Sequence, residues 1–216
     1  TMFVLKPLQI YNRTKKKSNR PKMTTEKIVI LVGSTSDLSF AHRIEDFLRE
    51  TRFPIKCEYR ISSAHRNPQK LLNDLKDYER SGDKIVFVTV AGLSDALSGV
   101  VAGNSRFPVI ACPPDIEKQG FSKVYSSMMT PRSVAVSLVS LPENAARAAV
   151  KILALSNASL KKHLDEYIEE IRNAVVKADA EIRGKEVGER EREHIERIEH
   201  LEHGEHVEHG EDAEDA

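Results

Sequence analysis

Three short stretches of the chain gather side chains able to hold a phosphorylated sugar and to move a proton. Gly33-Ser34-Thr35-Ser36-Asp37 offers a glycine, three hydroxyls and a carboxylate. At the start of a helix, free backbone N–H groups and the helix dipole favour a phosphate, and Gly33 permits its close approach. Asp37 would repel the phosphate itself, so its natural partner is a sugar diol slightly further along; plain helix capping by Ser36 or Asp37 is the competing reading. Neither a Walker lysine loop nor a G-x-G-x-x-G run occurs, which argues against a nucleoside triphosphate or a dinucleotide. Ser62-Ser63-Ala64-His65-Arg66-Asn67-Pro68 sets a histidine beside an arginine. Histidine titrates near neutrality and serves as general acid or base, and an arginine offers several donors to a phosphate; an ordinary surface histidine is the alternative. The third stretch, Ala91-Gly92-Leu93-Ser94-Asp95, is small and polar. It suits backbone contact with a flat heterocycle, or simply a helix cap at Ser94.

The elements around these stretches place all three on loops. Lys27-Ile-Val-Ile-Leu-Val is a continuous apolar run ended by Gly33, and Ala41, Ile44, Phe47 and Leu48 then recur at helical spacing. Ile55, Cys57, Tyr59 and Ile61 alternate, after which Asn67-Pro68 reads as an N-cap and first-turn proline ahead of Leu71, Leu72, Leu75 and Tyr78. Ile85 to Val90 predicts a third, buried strand, and 94–103 a short helix. Pro108 to Cys112 predicts a fourth strand and 134–139 a fifth. An alanine-rich helix then runs to Ser156, followed by a long amphipathic one from Leu160 to about Arg183. Fully apolar strands alternating with helices predict an α/β fold, a three-layer doubly wound parallel sheet with a long C-terminal helix. In such sheets ligands collect beyond the carboxyl ends of the strands, where the three loops lie.

Composition narrows the class. The chain has 216 residues with 33 basic and 33 acidic side chains, a balance that argues against a general polyanion binder, so no nucleic-acid partner is expected. The balance is an average over unlike pieces. Residues 1–22 carry +7 and read as a basic disordered extension; 184–216 carry −9 and five of the eight histidines and read as a solvated acidic tail, partly helical over 185–203. Only 23–183, at +2, has the composition of a folded domain. The tail's histidines lack a scaffold to converge on a metal, so no metal site is expected. Apolar runs stay well below the ~18 residues of a membrane span, two cysteines and no apolar leader point to a reducing compartment, and a cytoplasmic protein is the expectation.

Together, Gly-Ser-x-Ser-Asp after the first strand, Ser-Ala-His-Arg after the second and Ala-Gly after the third resemble the phosphoribosylaminoimidazole carboxylase family of purine biosynthesis, over Ile28 to about Asn157. Val86-Phe-Val-Thr-Val-Ala-Gly, Ala96-Leu-Ser-Gly, Val109-Ile-Ala-Cys-Pro-Pro and Tyr125-Ser-Ser are similar to its CO2-using branch rather than to the N5-carboxyaminoimidazole ribonucleotide mutases. The resemblance implies a flavodoxin-like domain that carboxylates aminoimidazole ribonucleotide with CO2 and needs no cofactor, the alternatives being the mutase and a non-catalytic phosphoribosyl-binding oligomer of the same fold. It implies His65 as the proton shuttle, and Gly33, Ser34, Ser36, Asp37, Ser63, Arg66, Ala91, Gly92, Ser94 and Asp95 as substrate-binding residues. Among these, Ser34, Ser36 and Arg66 take the phosphate, Asp37 the ribose, and Gly92, Ser94 and Asp95 the base and CO2. It also implies a homo-oligomer, an octamer being favoured. Leu93, Asp95, Arg66 and Thr130-Pro131-Arg132-Ser133 depart from the CO2-using pattern. A carboxylate at 95 beside a carboxylate-forming site calls for protonation, a cation or an orientation away from it; Arg132 is the expected cation.

Overall fold

The computed structural model describes residues 24–204 other than 115, 117–119, 121 and 122. The basic head and residues 205–216 of the tail lie outside the described residues. Five parallel strands form one sheet in the order β2-β1-β3-β4-β5, with β1 at Glu26–Val32, β2 at Lys56–Ile61, β3 at Lys84–Val90, β4 at Val109–Ala111 and β5 at Ser137–Leu138. This is the flavodoxin-like order, and the reversal of winding falls between β1 and β3. The register sets Val32 beside both Ile61 and Val90, so the first three strands end level and their following loops emerge side by side.

Alternation along the strands builds two cores. Ile28, Ile30, Val32, Val86, Val88 and Val90 face one side, where α1 (Leu38–Glu50), α5 (Pro142–Ala154) and the start of α6 (Ala158–Gly204) cover them. Val29, Leu31, Ile85 and Phe87 face the other, against α2 (Pro68–Ser81) and α3 (Ala96–Gly103). A short helix, α4 (Val124–Met128), follows β4. Both faces being buried explains why these strands read as unbroken apolar runs. Asn67 caps α2 through a bond from the Lys70 N–H, with Pro68 in its first turn, and Gly82 closes it at a left-handed φ of 77°.

Two boundaries differ from expectation. The fifth strand shrinks to two residues, because Pro131 to Ser133 form a turn and only Ser137 and Leu138 pair with β4. The terminal helix does not stop near Arg183: α6 continues unbroken to Gly204, a run of 47 residues. Glycines 184 and 188 lower helix propensity without ending the helix, and i,i+4 pairs such as Lys177–Glu181 and Asp179–Arg183 line its exposed surface. No helix among the described residues is long and apolar enough to cross a membrane.

Candidate functional site

The first loop turns tightly at the end of β1. Gly33 N donates to the Val90 carbonyl at 2.8 Å, tying the loop to the end of β3. A side chain at Gly33 would put its Cβ 3.4 Å from the Ala91 Cβ, so the two loops sit in van der Waals contact. Ser34 caps a single 3-10 turn, Thr35–Asp37, accepting the Ser36 N–H at its hydroxyl. Asp37 begins α1 but makes no side-chain cap bond there. Its carboxylate instead accepts the Gly92 N–H at 3.4 Å and the Ser36 hydroxyl at 3.3 Å. The capping reading thus holds for neither Ser36 nor Asp37; Ser34 does the capping.

The second loop is strapped to the first. Ser62 is buried, its N–H donating to the Val32 carbonyl at 2.9 Å and its hydroxyl to Asp74 at 3.1 Å. Arg66 donates through Nη2 to the Gly33 carbonyl at 2.7 Å and through Nε to Ser63 Oγ at 3.2 Å. A guanidinium has five N–H donors, so an edge of Arg66 stays available to an anion while two bonds hold the loops in register. His65 is exposed, and its ring forms no hydrogen bond among the described residues.

These loops and the third enclose a cavity of about 470 Å³, within the usual range for small-ligand sites. Gly33, Ser34, Ser36 and Asp37 form one side, Ser63, Ala64, His65 and Arg66 a second, and Ala91, Gly92, Leu93, Ser94 and Leu97 the third. Three walls from three strand ends put an imidazole, several hydroxyls, a guanidinium edge and free backbone within one small volume. That arrangement can bind an anion and a diol at one end and exchange a proton at the other. The residues that could hold a metal do not cluster: no group of three or more ligating side chains lies together among the described residues.

Ten of the eleven expected site residues line the cavity; Asp95 does not. It is 4 % exposed, behind the third wall, where Oδ1 accepts the Ser98 N–H at 3.0 Å and Oδ2 accepts the hydroxyls of Ser98 and of Ser127, the latter at 2.7 Å. Arg132 is not among its partners, so the expected ion pair is replaced by hydroxyl donors and a helix N-terminus. The family resemblance is what implies a pocket position for Asp95. The missed signal is Ser98, three residues on, which makes Asp95 an N-cap. Ala64, Leu93 and Leu97 are wall residues that chemistry-based reading passes over, because apolar side chains announce no reaction. Leu93 stands out structurally, with a left-handed φ of 55° and 75 % exposure. For a leucine that conformation costs about 1 kcal/mol or more, and it persists only where the surroundings impose it.

Comparison with known proteins agrees with this geometry. Residues 27–174 match the family described as AIR carboxylase. The chain is 43% identical over 157 residues to a phosphoribosylaminoimidazole carboxylase of Archaeoglobus fulgidus, covering 73% of this chain and 85% of that protein. It is 36% identical over 158 residues to an N5-carboxyaminoimidazole ribonucleotide mutase of Methanocaldococcus jannaschii, covering 72% and 97%. The crystal structure of Treponema denticola PurE superposes with a TM-score of 0.69 at 33% identity, over 72% of this chain and 98% of that one. The match extends past Asn157 into α6, so the domain includes the packed start of the last helix. By sequence, by fold and by the three loops that meet at the ends of β1, β2 and β3, this chain belongs to the AIR carboxylase family.

Proposed function

We propose that this protein carboxylates 5-aminoimidazole ribonucleotide with CO2, giving 4-carboxy-5-aminoimidazole ribonucleotide. The observation that carries the reading is the convergence of His65, the Ser34–Asp37 turn and the Gly92 backbone in one cavity. The substrate ring is an enamine-like nucleophile. Its C4 attacks the carbon of CO2, a C–C bond forms, and one C–O π pair moves onto oxygen to give the carboxylate. The ring proton at C4 then leaves to a His65 ring nitrogen, restoring aromaticity. The protein's task is to hold two reactants together in a pocket and to accept one proton. In this reading Ser34, Ser36 and the free edge of Arg66 bind the phosphate, with Gly33 and Ser63 shaping that end. Asp37, already oriented by the Gly92 N–H, takes the ribose hydroxyls. Ala91, Gly92 and Ser94 face the base and CO2.

The named relatives divide between carboxylases and a mutase, so the alternative reading is rearrangement of N5-carboxyaminoimidazole ribonucleotide in the same pocket. The deciding experiment follows product absorbance from aminoimidazole ribonucleotide with and without bicarbonate, in the absence of ATP. Bicarbonate-dependent conversion is the expected result; conversion of N5-carboxyaminoimidazole ribonucleotide alone would replace it with the mutase. A homo-oligomer, an octamer being favoured, and a cytoplasmic location belong to the same proposal.

A further inference from the structure

Behind the third wall lies a polar knot that no step of the proposed chemistry uses. The buried Asp95 carboxylate takes three donors: the Ser98 N–H at 3.0 Å, the Ser98 hydroxyl, and the Ser127 hydroxyl at 2.7 Å. Its own N–H donates to Ser126 Oγ at 3.0 Å. Ser98 Oγ also lies 2.7 Å from Thr89 Oγ1, which reaches the Ile110 carbonyl at 3.3 Å. Asp95, Ser98, Ser127 and Thr89 are all at most 4 % exposed. No lysine or arginine nitrogen pairs with the carboxylate among the described residues. A buried charge satisfied only by hydroxyls and a helix N-terminus is costly to disturb, because removing one donor leaves it short in a dry environment.

The position of this knot gives it a task. The segment 91–94 crosses from the end of β3 to Asp95 and forms one wall of the cavity. Its first end is held by the Val90 carbonyl bond to Gly33 and the Gly92 bond to Asp37. Its second end is held by Asp95, which bonds α3 and α4 directly and reaches β3 through the contact of Ser98 with Thr89. Between the two anchors Leu93 keeps its left-handed backbone, a conformation a leucine adopts only under constraint. We propose that Asp95 is a positioning residue: its buried carboxylate, tied to Ser98 and Ser127, holds Leu93 and Ser94 in the shape that frames the base and CO2 end of the pocket, while Gly92 keeps its separate anchor on Asp37. The phosphate end, built from the first two loops, does not depend on it.

The kinetic arm of the test rests on the carboxylase reading; the exchange arm does not. Asp95→Ala, Asp95→Asn and the single-hydroxyl variants Ser127→Ala and Ser98→Ala are compared with the full-length wild type by amide hydrogen exchange, melting and steady-state kinetics. Faster exchange confined to 91–98 and 124–130 is expected in Asp95→Ala and, to a smaller extent, in Ser127→Ala. In Asp95→Ala kcat should fall about tenfold to 100-fold, as for an ångström-scale misplacement, with the bicarbonate requirement raised and KM for the ribonucleotide within about threefold. Asp95→Asn keeps the cap and should recover most of kcat. If Asp95→Ala fails to fold, the serine variants carry the same comparison. Unchanged exchange over 91–95, or a parallel loss of kcat, ribonucleotide affinity and melting temperature, overturns the proposal. A wild type that exchanges as expected but converts no aminoimidazole ribonucleotide sinks the carboxylase reading and leaves the positioning role to the exchange data.

Discussion

Replacing His65 by asparagine keeps a hydrogen-bonding side chain at the cavity wall and removes the ring nitrogen proposed to accept the substrate proton. Turnover should therefore fall at least about 10²–10⁴-fold, while the ribonucleotide still binds in calorimetry; near-normal turnover would remove His65 from the proton transfer. Gly92 is a second sensitive position, for steric reasons. A Cβ there would stand 3.2 Å from Asp37 Oδ1, and the carboxylate must shift or lose the Gly92 N–H. Gly92→Ala should raise KM about tenfold through the displaced Asp37, a change read directly in initial-rate curves. Cys112 belongs to the core rather than to the chemistry. Burial, with the nearby Glu143 charge adding and Arg43 opposing, pushes its thiol up to about 12. It should stay unreactive to thiol reagents at pH 8 until the protein is unfolded.

At the scale of elements, α2 and the edge strand β2 show how the site loops are held from below. Leu71 and Leu75 are buried against Val29, Leu31 and Phe87, so Leu75→Ala should cost about 2–5 kcal/mol in urea unfolding. Tyr78 on the same helix donates to Glu58 at 2.7 Å, and Lys27 bridges Glu58 at 2.8 Å and Asp83 at 3.3 Å. Partial burial pushes the Glu58 carboxyl up, but the bonds from Lys27 and Tyr78 and the charges of Lys27 and Arg60 outweigh it, leaving the group below its ordinary 4.5. A carboxyl depressed in the folded state binds its proton more readily when unfolded. Its stabilisation is present above pH 4.5 and is lost as pH falls through the lower folded value. Melting scans should show an acid-side loss of stability that is shallower in Glu58→Gln.

For the whole molecule, the last helix divides into a packed part and a projecting one. Leu160 and Leu164 are buried in the core shared with α1 and α5, whereas Val175, Val176 and Ile182 are more than half exposed. Removing residues 184–216 should leave the isolated domain's stability within about 0.5 kcal/mol of the full chain. A larger loss in the melting curve would mean that the projecting helix is packed in solution. Sedimentation of the same two proteins would show whether the proposed assembly of 24.3-kDa subunits depends on it.

Much of this architecture was legible before any coordinates, because its signals are local. Apolar runs that fill both faces of a strand, Asn67-Pro68 at a helix start and Gly33 at a strand end each determine the conformation of their own few residues. Strand-helix alternation then leaves few topologies, and ligands gather at the carboxyl ends of such strands. Ser34, Asp37, His65, Arg66 and Gly92 were therefore identifiable as neighbours. What only the tertiary structure decided depends on which atoms meet across the chain. The Arg66 strap to the Gly33 carbonyl and the left-handed Leu93 are of this kind. So is the fate of Asp95, which the family resemblance implies as a pocket group and whose surroundings bury it behind the wall. A side chain's chemistry is written in its identity; a capping partner three residues on, Ser98 here, can be read from spacing, but Ser127, 32 positions away, is brought to Asp95 only by the fold.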